Sequence, residues 1–325
     1  MKRLTLLVLI VSAIYSTYWF VGANTVESRA VESIALARSE GWDIAYDTIK
    51  TIGFPSRFDT TIDAPNVTPP DARWTWQAPF LQVFALSYQP NKIIAAFPNS
   101  QRLQLPTQKL SLTSDELRVS AGVRPNADLS FDALTTEGAG VSVSSDIGWS
   151  IALQNALIAL RNTPDMDKSY DAYAQINNLS LPSEFLKQLN QGNNLPAKID
   201  SITINSQLGL NQTLDRHTKN PQLQSITLEN AQIVWGTLSV RAEGRVDIDS
   251  TGVPTGRITL ITQDWRTMID ILVSMGQVQP GIAETLRNMA GGLANDAGVL
   301  ELPVSFGNGF MSLGPIPLGP APRLR

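Results

Sequence analysis

The longest unbroken alternation of apolar and polar residues in the chain runs from Leu238 to Ile248. Its apolar positions share one side of an extended backbone; they are Leu238, Val240, Ala242, Gly244, Val246 and Ile248. A period of two over this length predicts an antiparallel strand with one face in a core or groove and the other in water. Turn formers at 249–256 follow, and Ile258 and Leu260 then resume the alternation, which predicts a hairpin.

Shorter apolar and alternating runs predict further strands before and after this hairpin. They lie within 42–52, 58–62, 74–88, 93–97, 117–123, 127–133, 141–143, 202–210, 226–228, 304–306 and 311–313. Asn308-Gly309 separates the last two runs, and this pair is preferred in a type I′ hairpin turn. The proline-rich close at 314–322 predicts an extended segment that crosses the surface or caps a sheet edge.

Apolar residues at helical spacing predict several short helices. They lie at about 25–39, 149–160, 183–190, 265–275 and 282–293. Strands followed by a helix that begins with tryptophan occur twice, at Trp149 and at Trp265. This succession suggests two similar halves, with a polar boundary at 191–194.

The N-terminus carries the features of a membrane span. Lys2 and Arg3 precede an uncharged run from Leu4 to Ala23, which has 20 residues and, as a helix, a length of about 30 Å. Aromatic residues crowd its far end; they are Tyr15, Tyr18, Trp19 and Phe20. The leading positive charges predict a cytoplasmic N-terminus and an exported remainder. The alternative is a signal peptide cleaved after Val21-Gly22-Ala23, although the apolar run exceeds the usual signal core of roughly 7–15 residues.

These patterns together predict the organisation of the chain. We expect an α+β fold that is mainly antiparallel β, with one or more long curved sheets, short amphipathic helices and one preceding N-terminal transmembrane helix. The expected segments are a membrane anchor at 1–23, a stalk helix at 24–41, a first β-rich half at 42–195, and a second β-rich half with the proline-rich tail at 196–325.

Composition narrows the classes of function. The chain has 325 residues and a net charge of −4, with no basic stripe, so a nucleic-acid partner is not expected. It has no cysteine, which excludes disulfides and thiolate chemistry. Charged residues make up only 17%, below the roughly 25% of typical soluble domains.

Candidate catalytic and metal-binding residues are few. His217 is the only histidine, it lies in a polar loop, and no Gly-x-Ser-x-Gly motif accompanies it. Asp247-x-Asp249-x-Thr251 resembles the start of a calcium loop, but Ile258 stands where the chelating glutamate is needed. No phosphate-binding glycine-rich loop is present in the sequence. We therefore expect no catalytic residues, no metal site and no cofactor, and hence a protein that is not an enzyme.

Several motifs resemble those of a known family. The first is Gly236-x-Leu-x-Val-x-Ala-x-Gly244, with the turn and the Trp265-led helix that follow it. The second is Leu302-Pro-Val-x-Phe-x-Asn-Gly309 with the proline-rich ending. Together with Gly53-Phe-Pro-x-Arg-Phe58, they resemble the domain of unknown function 2125 family of bacterial envelope proteins. The family has no assigned activity. The resemblance implies a relation to AsmA-like proteins, whose anchored, elongated β-sheets form an apolar groove associated with lipid.

The strands with one apolar face outnumber the helices available to cover them, so an uncovered face must meet lipid, ligand or protein. We expect an inner-membrane anchor with a periplasmic domain that binds or passes lipid. A soluble periplasmic protein is the outcome if the anchor is cleaved. The predicted groove-lining residues are Leu238, Val240, Ala242, Val246, Ile248, Ile258 and Leu260. The alternative function is an envelope scaffold or assembly factor that docks a protein partner through a sheet edge or the C-terminal tail.

Overall fold

The computed structural model describes residues 1–190, 195–276, 278–314 and 316–324. Its helices are α1 (Lys2–Ser39), α2 (Ser183–Leu189), α3 (Trp265–Ser274) and α4 (Pro280–Leu293). Its strands are β1 (Asp43–Ala45), β2 (Ile49–Ile52), β3 (Arg57–Asp63), β4 (Asn66–Thr68), β5 (Thr75–Gln77), β6 (Phe80–Leu86), β7 (Gln89–Ala96), β8 (Ser100–Gln104), β9 (Lys109–Thr113), β10 (Glu116–Val123), β11 (Phe131–Ser145), β12 (Ser150–Asn162), β13 (Ser169–Ser180), β14 (Lys198–Leu210), β15 (Leu223–Trp235), β16 (Leu238–Ile248), β17 (Pro254–Thr262), β18 (Leu300–Gly307), β19 (Phe310–Leu313) and β20 (Ile316–Pro320). The predicted class, α+β and mainly antiparallel β, is confirmed.

The chain divides into two compact units. Unit 1 comprises 1–124 and 136–149, and unit 2 comprises 125–135 and 150–325. This division differs from the predicted halves 42–195 and 196–325. The reason is strand pairing: β12 and β13, assigned by sequence to the first half, pair in succession with β14. The predicted boundary at 191–194 lies outside the described residues.

Most of the long antiparallel strands of unit 1 are broken near the middle, while β11 is continuous. One series of pairings runs β2–β3–β6–β7–β10, and a second runs β1–β4–β5–β8–β9–β11. Short breaks such as Ala64-Pro65 and Ala78-Pro79 join the two series. The breaks are aligned on neighbouring strands, because the N–H of Ala64 donates to the Pro79 carbonyl at 2.8 Å.

α1 continues from the apolar N-terminal run through the predicted stalk as one helix and packs on the unit 1 sheet. Trp19, Ala23 and Phe58 form a buried cluster between the helix and β3. Further along, the Glu27 carboxylate accepts a 2.5 Å hydrogen bond from the backbone N–H of Thr51. The apolar part of α1 is long enough to cross a bilayer, and almost none of it is buried.

Unit 2 is an antiparallel meander in which each strand from β12 to β20 pairs with the next along the chain. α2 follows β13, and α3 and α4 lie between β17 and β18. Two buried clusters form where these helices meet the sheet. One includes Leu189, Trp235 and Leu238, and the other includes Trp265 and Leu300.

The predicted helix at 149–160 is wrong, because these residues form β12. Leu153, Ala156, Leu157 and Leu160 fit helical spacing, but pairing with β13, for example Leu157 opposite Gln175, satisfies the backbone as a strand. The helices predicted at 183–190, 265–275 and 282–293 are confirmed. The turn between β18 and β19 has positive φ at Asn308 and Gly309, as a type I′ turn requires, and β20 caps the edge of β19.

Candidate functional site

The register of unit 2 assembles an apolar surface on one face of its sheet. Residues directly opposite one another on successive strands share a face, so the pairings trace rows across the sheet. The row through the middle, called the central apolar row below, takes one residue from each strand from β12 to β18. It consists of Ile158, Ala174, Ile204, Ala231, Ala242, Leu260 and Leu302.

The rows on either side extend the same apolar face. On one side Ile176, Ile202, Ile233 and Val240 follow one another across β13 to β16. On the other side the row includes Leu160, Leu228, Ile258 and Val304. The surface is therefore at least three rows deep and has no charged side chain among these positions.

A β-bulge in β15 keeps this face apolar. The register shifts between Leu228 and Ala231, so that two residues, Glu229 and Asn230, fall between positions that share a face. Without the shift, a spacing of three would place Leu228 and Ala231 on opposite faces. The bulge thus aligns Ile226 and Leu228 with Ala231 and Ile233.

Helices cover the apolar face at one end. Leu238 is buried among Leu189, Leu195, Ile199 and Trp235, and Met268 and Ile271 of α3 pack against this cluster. Trp235 is fixed there by a 2.8 Å hydrogen bond from its indole N–H to the Pro196 carbonyl. Leu300, at the adjoining end of β18, is completely buried below Trp265 and Ala290.

The opposite end of the face is also covered. Tyr170 and Val246 lie on one row, through Leu208 and Ile226, and both are almost fully buried. The ring of Phe131 contacts that of Tyr170 edge-on at 5.8 Å. The tail is tied down nearby, because the N–H of Leu324 donates to the Gly252 carbonyl at 2.8 Å.

Between these ends the apolar face is open. Ile158 is 50% exposed, Ile204 38% and Ile233 41%, although each lies well inside its strand. Their neighbours Ala174, Ala231 and Ala242 have short side chains, so the isoleucines border a shallow floor. This is the largest departure of unit 2 from the burial expected of strand isoleucines.

The reverse face of the same strands is polar. Thr203, next to Ile204 along β14, lies between Gln175 and Gln232. Ion pairs line this side as well, including Arg161 with Asp171 at 3.1 Å and Arg245 with Asp247 at 2.7 Å. Burial acts to raise the pKa of Asp171, but hydrogen bonds from Thr163 and Arg161 outweigh it and hold this pKa below its ordinary value.

The structure divides the predicted groove residues into two sets. Ala242, Ile258 and Leu260 are half-buried on the open apolar face, and they lie together because β16 and β17 pair in register. Val240 is half-buried at the border of this region, where it packs against the cluster around Leu238. Leu238, Val246 and Ile248 are on the same side but buried, the first under the helices and the others at the opposite end. Sequence reasoning missed Ile158, Ile204 and Ile233. Ile204 lay in a predicted strand, but Ile158 lay in the predicted helix at 149–160, and the alignment of all three depends on register and on the bulge.

His217 and Asp249 belong to turns. His217 is exposed, and its backbone N–H donates to the Asp215 carboxylate at 2.7 Å. The Asp249 carboxylate accepts hydrogen bonds from Val253 and Thr251, which lower its pKa. In the described part of the chain, no three or more His, Asp or Glu side chains are grouped as metal ligands would be.

Most of the chain matches a known protein family. A family model described as an uncharacterized protein conserved in bacteria, DUF2125, matches residues 19–322. The chain belongs to the DUF2125 family. The match covers both units of this DUF2125 protein and begins at Trp19, the residue of α1 that is buried against Phe58. No curated protein and no solved structure matches the DUF2125 chain.

Proposed function

We propose that this DUF2125 protein is anchored in the inner membrane by an uncleaved α1 and binds acyl chains of membrane lipid on the open apolar face of unit 2. The observation that carries the proposal is the central apolar row, whose Ile158 and Ile204 are exposed between two covered ends. Contiguous exposed apolar surface bordered by covered or polar regions marks a binding site in soluble domains.

The chemistry of the row matches an acyl chain better than a polar ligand. Its seven side chains are isoleucine, alanine and leucine, with no hydrogen-bonding group. Each methylene moved from water onto apolar surface contributes about 0.8 kcal/mol. A long acyl chain supplies many methylenes and leaves no polar atom without a partner on this surface.

Retention of α1 is supported by its packing. Cleavage after Ala23, the alternative, would remove Trp19 and expose Phe58, which both belong to the same buried cluster. Cleavage would also remove the 2.8 Å hydrogen bond that the indole N–H of Trp19 donates to the Arg57 carbonyl. Lys2 and Arg3 before the span support, by the positive-inside rule, a cytoplasmic N-terminus with both units on the periplasmic side.

The alternative function is a scaffold that docks a protein through a sheet edge or the C-terminal tail. Three observations make those surfaces less suitable. Pro317 and Pro320 remove backbone donors from β20, Glu27 occupies the N–H of Thr51 in β2, and the tail bonds back to unit 2 through Leu324. By contrast, Ile158 and Ile204 on the apolar face of unit 2 are exposed.

Native mass spectrometry of the full-length protein, released from mild detergent, tests the proposal. We expect co-purified phospholipid on the wild type. The double variant Ile158→Glu and Ile204→Glu should lose it by about tenfold or more, since burying each isoleucine is worth about 1.5–3 kcal/mol. Thr203→Glu, on the reverse face of β14, is the matched control and should keep it. Wild-type protein that is lipid-free and takes up no added phospholipid would contradict the proposal.

A further inference from the structure

A second apolar surface lies in unit 1, at the hairpin turns where the sheet meets α1. These turns are 53–56 between β2 and β3, and 87–88 between β6 and β7. Four large apolar side chains beside or within them are exposed and are called the tip residues below. They are Ile52 at 56%, Phe54 at 51%, Leu86 at 37% and Tyr88 at 65%.

Hydrogen bonds from three side chains of α1 fix the position of these turns along the helix. The Tyr18 hydroxyl donates to the Ser87 carbonyl at 2.7 Å, and the Tyr15 hydroxyl lies 3.0 Å from the Ser87 hydroxyl. The indole N–H of Trp19 donates to the Arg57 carbonyl at 2.8 Å. Both turns are therefore held beside residues 15–19, within the uncharged run that ends at Ala23.

The length of helix before this attachment is too short to cross a bilayer. Residues 2–14 form 13 residues of α1, or about 20 Å of helix. A hydrocarbon core is about 30 Å thick, so a helix that crosses it needs the run to continue to roughly residue 21. The hydrocarbon must then reach past Tyr15, to the level of the turns.

The aromatic contacts extend the surface of the span onto the turn. Phe20, which is exposed on α1, stacks on Phe54 at 5.8 Å between ring centroids and at an angle of 17°. Trp19 meets the same Phe54 ring edge-on at 5.5 Å. Because Phe54 lies directly on Phe20, a lipid environment around Phe20 also surrounds Phe54.

The charges near the turns suit this position. Residues 51–56 and 81–91 contain no Asp, Glu, Lys or Arg. Lys50 and Arg57 border the first uncharged stretch, and both side chains are exposed. Basic residues that border an apolar surface are placed to meet anionic lipid headgroups.

We propose that the tip residues of unit 1 are seated in the membrane, at the boundary between headgroups and acyl chains of the leaflet away from the N-terminus. This inference rests on the proposed membrane anchor but not on lipid binding by unit 2. Residues 2–14 are too short to cross the hydrocarbon, and this position of the turns lets the span continue to roughly residue 21. Because α1 runs along the sheet of unit 1, the same contact fixes the orientation of unit 1 relative to the bilayer.

Site-specific fluorescence tests the seat, because the chain has no cysteine of its own. Phe54→Cys and Tyr88→Cys carry an environment-sensitive fluorophore in full-length protein, in vesicles of phosphatidylcholine and phosphatidylglycerol with nitroxide-labelled acyl chains. Arg73→Cys is the control, in the turn between β4 and β5, beside Trp74, which contacts Trp42. Trp42 follows the end of α1, about 30 Å of helix beyond Trp19.

We expect the nitroxide lipids to quench most of the fluorescence at positions 54 and 88 and little at position 73. A wash in alkaline carbonate separates the two proposals. Protein that stays in the vesicles with positions 54 and 88 no more quenched than position 73 overturns the seat and leaves the anchor standing. Protein that washes off overturns the anchor and the seat together. Position 88 reports even if labelling at position 54 disturbs the contact with Phe20.

Discussion

The indole N–H of Trp19 donates a 2.8 Å hydrogen bond to the backbone carbonyl of Arg57. The same ring stacks on Phe58 at 6.0 Å between centroids, so the apolar helix is part of the core of unit 1. A signal sequence that is removed has no need of such a contact. If α1 is retained, this contact should stabilise unit 1. The stability of Trp19 variants therefore tests whether α1 is retained.

Trp19→Ala should lower the free energy of unfolding of unit 1 by about 3–5 kcal/mol, because it removes a buried aromatic side chain. Trp19→Phe should cost less, since it keeps most of the packing and loses a hydrogen bond worth about 1 kcal/mol. Denaturant unfolding of the full-length protein in detergent micelles measures both changes. Ile14→Ala is the control, since Ile14 is exposed on the same helix and its loss should change little. Equal stability of Trp19→Ala and wild type would favour a cleaved signal peptide.

Gly22 allows α1 to approach the sheet closely. A Cβ added at Gly22 would lie 2.7 Å from Cζ of Phe58, a ring that is itself buried. Gly22→Ala should therefore destabilise unit 1 by about 1–3 kcal/mol, the usual cost of overpacking.

Gly292, in α4, provides the matched control for Gly22. A Cβ there meets nothing within 4 Å, so Gly292→Ala should stabilise unit 2 by about 0.5–1 kcal/mol through helix propensity alone. The same unfolding experiment reports both variants. The packing assigned to Gly22 is wrong if its alanine variant is stabilised as Gly292→Ala is.

Asp249 organises the turn between β16 and β17. Its carboxylate accepts hydrogen bonds from the N–H of Val253 at 3.0 Å and from the N–H and hydroxyl of Thr251 at 2.7 Å. These bonds lower the pKa of Asp249 from its ordinary value of 3.8. Their contribution to stability is thus fully present above that value and is lost as the pH falls through the lower, folded-state pKa.

Asp249→Ala should destabilise unit 2 at neutral pH, and Asp249→Asn should do so less because it keeps an acceptor oxygen. The difference between wild type and Asp249→Ala should shrink as the pH falls below about 4. Unfolding monitored across pH 2–7 gives the curve. A difference that does not change with pH would show that the charge of Asp249 contributes nothing to the turn.

The hairpin of β16 and β17 and the turn at Asn308-Gly309 could be predicted because both depend on neighbours within a few residues. The helix predicted at 149–160 failed for the opposite reason. Apolar residues of β12 at positions 153, 156, 157 and 160 suit either structure, and pairing with the distant β13 decides between them.

The open part of the apolar face shows a second limit of sequence reasoning. Ala242 and Leu260 were expected on it and lie there, but Ile158 and Ile204 are aligned with them only through the successive pairings of β12 to β17. The bulge at Glu229 and Asn230 could not be predicted from the alternation of apolar and polar residues, because it interrupts that alternation. The burial of Leu238 by α3 could not be predicted either, because it depends on where this helix packs on the sheet.

Photo-crosslinking in intact membranes tests the central claim most directly. Benzoylphenylalanine replaces Ile204 on the apolar face or, in the control, Thr203 on the polar face of the same strand. After illumination, mass spectrometry should find an acyl-chain adduct at position 204 and none at position 203. A protein adduct at position 204 without lipid, or equal lipid labelling at both positions, would contradict acyl-chain binding by unit 2.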